Sequence, residues 1–284
     1  MKKEINTIIT LALSEDNALS DITSDLTIPD NNIISFTIIP RENIVFCGKE
    51  IITETFSQLK ESTKFKNSQL DLKILVKDGD ALTKSNPIIT GSGDAKLIFA
   101  AERVLLNLIQ HLSGISTITH QFKTALDNNK IKILDTRKTL PGLRALQKYA
   151  VKIGGGTNHR FDLSDLILIK DNHIAAAGGI KNAIEAAQNN ENNLKIEVEC
   201  DNFEQVSQAI LSNPDIIMLD NMTPNQITKC SDLIRSHSKK IQIEVSGGIN
   251  INSIENLKTL DIDFISIGSL THSVKAVDIG LDII

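Results

Sequence analysis

Ile196-Glu197-Val198-Glu199-Cys200, Ile216-Ile217-Met218-Leu219-Asp220, Ile241-Gln242-Ile243-Glu244-Val245-Ser246 and Phe264-Ile265-Ser266-Ile267-Gly268 are short β-rich runs in the last third of the chain. Their polar ends at Glu199, Asp220, Ser246 and Gly268 are 21, 26 and 22 residues apart, the length of one βα unit. Helical stretches at 203–211, 224–236 and 253–260 separate them. Strands buried on both faces read as nearly continuous apolar runs, and serial βα units in this rhythm point to a (β/α) barrel or a doubly wound sheet. Upstream, 131–135 and 166–170 are similar runs, 180–188 is helical, and 151–153 is a seventh candidate strand. That count favours a barrel, complete or incomplete.

Each run ends in chemistry-bearing groups: Asp135-Thr136-Arg137-Lys138, Lys170-Asp171-Asn172-His173, Glu199, Asp220-Asn221, Ser246-Gly247-Gly248 and Gly268-Ser269. In a barrel these ends share the face on which active sites form. Polar residues also mark where any buried strand leaves the core, but six ends of this kind in register argue for a site.

The region from Asp135 to His173 is basic, with Arg137, Lys138, Arg144, Lys148, Lys152, Arg160 and Lys170 opposed after Asp135 only by Asp162, Asp165 and Asp171. A charge run is usually a solvated face. Here Arg137, Lys138 and Lys170 stand at strand ends, where guanidinium and ammonium groups suit a polyanionic ligand. Ser246-Gly247-Gly248 and Gly268-Ser269 fit a backbone phosphate cradle at the last strands. Gly154-Gly155-Gly156 is compatible with a ligand loop or with a plain turn. Glu199 and Asp220 can hold Mg²⁺, bind sugar hydroxyls or stabilise a cationic transition state; Glu197 reads as structural.

The first hundred residues read as a mixed α and β unit. A helix at 3–14 precedes a Ser/Asp/Thr-rich turn region at 20–27. Strands follow at 33–39 and 44–47, then a helix at 49–60 and strands at 72–76 and 87–90 joined across Asp78-Gly79-Asp80. Asp94 caps a helix to about Leu112, Gly114 breaks it, and a second helix runs to about Asn128.

With aromatics at 4%, no Trp and a net charge of −5, stacking platforms for single-stranded nucleic acid and a general nucleic-acid or membrane-surface role are disfavoured. Cys47, Cys200 and Cys230 show no metal or disulfide spacing. No segment has transmembrane length, and Glu4, Glu15 and Asp16 spoil a signal-peptide pattern. The expectation is a cytoplasmic protein.

The stretches Asp135-Thr136-Arg137-Lys138-Thr139-Leu140-Pro141-Gly142-Leu143-Arg144, Gly154-Gly155-Gly156-Thr157-Asn158-His159-Arg160 and Leu168-Ile169-Lys170-Asp171-Asn172-His173 resemble the quinolinate phosphoribosyltransferase family. Glu102-Arg103, Glu197-Val198-Glu199-Cys200, Asp220-Asn221-Met222 and Glu244-Val245-Ser246-Gly247-Gly248 extend the likeness over nearly the whole chain. The resemblance implies an α/β protein with an N-terminal α/β sandwich (1–112, joined by 270–284) and an incomplete (β/α) barrel (113–269). It implies transfer of the phosphoribosyl group of phosphoribosyl pyrophosphate to quinolinate with decarboxylation. The products are nicotinate mononucleotide, pyrophosphate and CO₂, in NAD biosynthesis with Mg²⁺.

By the same resemblance Arg103, Thr136, Arg137, His159 and Arg160 bind substrate, and Lys138 and Lys170 lie between the two anions. Glu199 and Asp220 face ribose and metal, directly or through water, and count with Lys138 and Lys170 as catalytic. Ser246, Gly247, Gly248, Gly268 and Ser269 hold the 5-phosphate. Arg103 reaches the partner's site, so a homodimer is implied. Leu140, Asp162 and Ser20 depart from the family pattern; Asp162 puts a negative charge near Arg160. Two other readings stand beside this one: a related molybdenum-associated protein, and a sugar-phosphate aldolase or isomerase that uses Lys170.

Overall fold

The computed structural model describes residues 1–189, 191 and 193–284. In chain order the elements are α1 (Lys2–Glu15), α2 (Ile22–Thr27), β1 (Ile33–Pro40), β2 (Ile44–Val45), α3 (Lys49–Glu61), β3 (Leu70–Ile74), β4 (Ala81–Leu82), β5 (Ile89–Asp94) and α4 (Ala95–Leu126). Then come β6 (Lys132–Leu134), α5 (Arg144–Ile153), β7 (Ile167–Ile169), α6 (Asp171–Ala176), α7 (Ile180–Gln188), β8 (Ile196–Cys200), α8 (Phe203–Ala209) and β9 (Ile216–Asp220). The chain ends with α9 (Pro224–His237), β10 (Gln242–Ser246), β11 (Phe264–Ser266), α10 (Ser269–His272) and β12 (Ile279–Ile283).

These elements form two compact units. The first comprises Met1–His120, Thr139–Gly155 and Thr271–Ile284; the second comprises Gln121–Lys138 and Gly156–Leu270. The first unit therefore takes in 139–155 as well as the N-terminal and C-terminal segments. Its main sheet has the order β12-β1-β5-β3, all antiparallel. Phe36 and Ile38 alternate on β1 and are fully buried, the period-2 mark of a strand with one core face. The α3 helix buries Ile52, Phe56 and Leu59 at helical spacing.

Three expectations in this unit change. The 20–27 region holds α2, capped by the Asp21 side chain, which accepts the Ser24 N–H at 3.1 Å. Ile22 and Leu26 are exposed on it, so no amphipathic period announces the helix. The break at Gly114 is absent, and α4 runs continuously over 32 residues. Gly114 is there for a close approach, since a Cβ at that position would lie 2.5 Å from the Lys275 carbonyl oxygen. Finally, 151–153 is the last turn of α5, not a strand; Gln147, Ala150 and Val151 bury one face of that helix.

The second unit is built on a six-stranded parallel sheet in the order β6-β11-β10-β9-β8-β7. The incomplete α/β barrel is thus present, with six strands rather than seven. The edge strands β6 and β7 do not pair with each other. Instead Thr157 makes a single parallel bridge to β6, donating its N–H to Ile133 O at 2.8 Å. The Thr223 hydroxyl and the Gln226 side chain form a reciprocal cap at the start of α9, with Pro224 at its first position. The helix expected at 253–260 reduces to a 3₁₀ turn, Ile254–Leu257.

Replacing Gly114 with alanine should lower the melting temperature, although alanine is the better helix former. Overpacking costs about 1–3 kcal/mol, against about 1 kcal/mol of helix propensity gained. A thermal scan of Gly114→Ala that matches the wild type would refute the close-approach role.

Candidate active site

Within the second unit, alternate residues of the strands line a cavity of about 410 Å³. Leu168 of β7, Glu199 of β8, Met218 and Asp220 of β9, Glu244 and Ser246 of β10 and Ser266 of β11 face it. Their odd or even neighbours Val198, Cys200, Ile217, Leu219, Ile243 and Ile265 are fully buried away from it. Thr136, Arg137 and Lys138, which follow β6, and Lys170, which follows β7, complete the rim with the side chains of His159 and Arg160.

His159 and Arg160 arrive from the gap between the edge strands. Asp135, fully buried at the end of β6, accepts the His159 backbone N–H at 2.9 Å and is hydrogen-bonded by the Asn158 side-chain amide. That carboxylate fastens the segment after Thr157 against β6 and directs the next two side chains inward. His159 Nε2 lies 3.1 Å from Glu197 Oε2 and 3.4 Å from Glu244 Oε2. Burial works against a charged ring, but hydrogen bonds to Glu197 and Glu244, and their charges, raise His159 to about 10. Burial and the neighbouring Glu244 also raise Glu197. The Arg160 N–H donates to His159 Nδ1 at 2.7 Å, so the ring's own proton is on Nε2 and the further proton that the cluster retains is shared with the Glu197 and Glu244 carboxylates rather than held on Nδ1.

The cations at the rim differ in their ties. Arg160 is lowered by burial and by Arg137 beside it, and it donates to Leu166 O at 3.2 Å. The buried Nε of Arg137 has no hydrogen-bond partner, an uncommon state for a buried donor and one that an anionic ligand would relieve. The Lys170 ammonium is paired with Glu199. Carboxylate oxygens of Glu199, Asp201 and Asp220 come within 4.8 Å of one another. Three oxygen donors of this type fit a hard divalent cation such as Mg²⁺.

The basic run is divided between the two units. Arg137, Lys138, Arg160 and Lys170 line the cavity, whereas Arg144, Lys148 and Lys152 belong to α5 of the first unit. His173 does not line the cavity; its Nδ1 accepts the Lys170 N–H at 3.0 Å at the start of α6. Asp162 accepts from Ser164 N–H and Oγ within its own loop at 2.8 and 2.7 Å, and the causes that lower Arg160 are burial and Arg137. Gly247 and Gly248 follow the lining residue Ser246 at φ +95 and +63, and a Cβ on Gly247 would fall 2.3 Å from Asn221 Oδ1. Gly268 and Ser269 lead into α10, outside the cavity lining. Arg103 is an exposed residue of α4 in the first unit.

Sequence reasoning missed Glu244, Ser266, Leu168 and Met218 as lining residues; Glu197, read as structural, is fully buried and outside the cavity lining. The available signal was the period-2 alternation within runs that look uniformly apolar. Glu197 and Glu199 share one face of β8, and Glu244 and Ser246 share one face of β10.

Residues 115–282 match the family model described as quinolinate phosphoribosyl transferase, C-terminal domain, and residues 21–113 match its N-terminal domain. The chain is 43% identical over 271 residues to a probable nicotinate-nucleotide pyrophosphorylase (carboxylating) of Bacillus subtilis, covering 95% of this chain and 90% of the relative. It is 38% identical over 273 residues to the nicotinate-nucleotide pyrophosphorylase (carboxylating) of Mycobacterium leprae, covering 96% and 94%. The solved nicotinate-nucleotide pyrophosphorylase of Ehrlichia chaffeensis superposes with a TM-score of 0.90 at 43% identity over 98% of both chains. That of Francisella tularensis gives 0.91 at 37% identity, covering 100% of this chain and 97% of the other.

Asp135→Ala should leave the His159 N–H and the Asn158 amide without their acceptor, at about 1–3 kcal/mol for each buried donor stranded. A fall in the urea midpoint together with loss of ligand binding is expected. Unchanged stability would show that Asp135 does not hold the segment.

Proposed function

The chain belongs to the quinolinate phosphoribosyl transferase family, and on that premise we propose that it joins quinolinate to phosphoribosyl pyrophosphate, giving nicotinate mononucleotide, pyrophosphate and CO₂ for NAD synthesis. The observation that carries this reading is the buried, unpartnered Arg137 Nε at a rim that also presents Lys138, Arg160 and Lys170. Quinolinate brings two carboxylates, and its cosubstrate brings a phosphate and a pyrophosphate. The cavity is of ordinary size for a small-molecule site.

In this reading Arg137 and Arg160 grip the quinolinate carboxylates, together with Thr136 and His159. Lys138 and Lys170 sit between the two anions and hold them at reacting distance. The ring nitrogen then supplies an electron pair to the anomeric carbon as the bond to pyrophosphate breaks and its electrons leave with the pyrophosphate. Positive charge builds on the ribose, and the carboxylates of Glu199 and Asp220 stabilise it. The 2-carboxylate then departs as CO₂; the cationic ring nitrogen stabilises the electron pair left on carbon until a proton replaces it. Ser246, Gly247 and Gly248, with Gly268 and Ser269, are proposed to cradle the 5-phosphate.

Glu199 and Asp220 would hold Mg²⁺, with Asp201 within reach, and the bound ion supplies positive charge to offset that of the departing pyrophosphate. A homodimer is proposed in which the exposed Arg103 of one chain completes its partner's site. The place of action proposed is the cytoplasm, where three unpaired cysteines are at home; no helix among the described residues is long and apolar enough to cross a membrane. The aldolase reading loses ground because the Lys170 side-chain nitrogen is already engaged by Glu199.

The deciding assay combines the protein with quinolinate, phosphoribosyl pyrophosphate and Mg²⁺ and measures nicotinate mononucleotide; folded protein that makes none refutes the proposal. Arg137→Ala and Lys138→Ala should each reduce kcat/KM by about 10²-fold or more, as loss of preorganised charge does. Arg103→Ala and Lys138→Ala chains, each inactive alone, should regain activity when refolded together, because mixed dimers contain one intact site. No recovery from mixtures shown to contain heterodimers would remove Arg103 from the partner's site.

A further inference from the structure

Glu197 and Glu244 have no part in the chemistry proposed above, yet both are fully buried in the barrel interior. They stand on β8 and β10, on either side of β9, and an oxygen of each approaches the same atom, Nε2 of His159, at 3.1 and 3.4 Å. The other oxygen of Glu244 accepts the Ser266 hydroxyl from β11. Neither oxygen of Glu197 nor Oε2 of Glu244 has a partner in hydrogen-bond geometry, so the ion-pair contacts with His159 Nε2 are the compensation for these buried atoms. Two buried carboxylates aimed at one ring nitrogen are too costly to be incidental, because each must find a donor to offset its lost hydration.

The charged groups facing His159 are these two carboxylates on the Nε2 side, Asp135 at its backbone N–H, and Arg160 with Arg137 beyond it. Nδ1 is occupied by the Arg160 N–H. Both ring nitrogens are therefore engaged. The residue whose backbone it holds, Arg160, carries a side chain into the cavity.

We infer that Glu197 and Glu244, with Ser266 bracing Glu244, are positioning residues for the reaction that act through His159: they keep a proton on Nε2 and so fix the ring and the Arg160 that follows it against quinolinate. The arrangement does for this ring what a buried acid does for a catalytic imidazole elsewhere, namely choosing the tautomer and holding the orientation. The functional half of this inference rests on the proposed activity; the tautomer half does not.

Two measurements on the full-length protein separate the halves. Ring ¹⁵N shifts of His159, assigned by their loss in His159→Asn, should show a protonated Nε2 and no ordinary titration near pH 6.5 in the wild type. In Glu244→Gln, where Glu197 remains at Nε2, the titration should move toward pH 6.5. A wild-type ring that titrates freely near pH 6.5 overturns the inference whether or not the protein is active. In steady-state assays, Glu244→Gln should raise KM for quinolinate by about tenfold or more, the worth of one charge-assisted hydrogen bond, and leave KM for phosphoribosyl pyrophosphate within about twofold. It should also introduce a new ionisation into the pH profile of kcat/KM for quinolinate. If Glu244→Gln does not fold, Ser266→Ala, which removes only the brace, should produce the same KM split to a smaller degree. A folded variant with wild-type KM values and pH profile refutes the positioning role. Wild-type protein that makes no nicotinate mononucleotide refutes the proposed function and leaves the ¹⁵N result standing on its own.

Discussion

The Asp135 carboxylate is the contact on which the site depends. It is fully buried at the end of β6, where an unpaired negative charge would be strongly disfavoured, and it is satisfied by the backbone of His159 and the side chain of Asn158. Its need for donors and the gap's need for a neighbour to β6 are met by the same few residues. Thr157 bridges to β6, Asn158 and His159 donate to Asp135, and His159 and Arg160 then have only the barrel interior to enter. An incomplete barrel is thus a means of placing two side chains that no strand carries.

From this arrangement follows a pairing of buried acid with cavity-lining base. Asp135, Glu197 and Glu244 are fully buried acids, Arg137, Lys138, Arg160 and Lys170 line the cavity, and His159 contacts Glu197 and Glu244. Each set makes the other tolerable in a low-dielectric interior. Breaking such a network by removing one member leaves an uncompensated charge, which costs more than the intact network contributes to stability. A chain with a net charge of −5 can therefore carry a cationic site: the surplus acid is elsewhere, and some of it is buried around the site.

The first unit shows the opposite economy of signals. Its sheet, α1 and α3 follow plain periodicity, and its surprises come from side-chain size and from caps. Gly114 looks like a helix end because glycine usually is one, but it lies within α4 where the backbone near Lys275 leaves no room for a Cβ. The residues 151–153 look like a strand because Val151 and Ile153 are β-branched, yet the rest of α5 outweighs them.

Local chemistry in the sequence by itself determined a good part of this protein. The βα rhythm, the polar strand ends at Glu199, Asp220 and Ser246, the basic stretch after Asp135 and the family motifs were all legible, because periodicity and cap chemistry are written in neighbouring residues. Tertiary structure alone decided three things: which members of the basic run share a cavity, which glycine permits a close contact, and that Glu197 and Glu244 converge on His159. Each depends on residues between 24 and 161 positions apart meeting across a sheet, a gap or a close backbone approach. No local pattern specifies such meetings; they follow only once strand order and register are set, and with them which face of each strand looks inward.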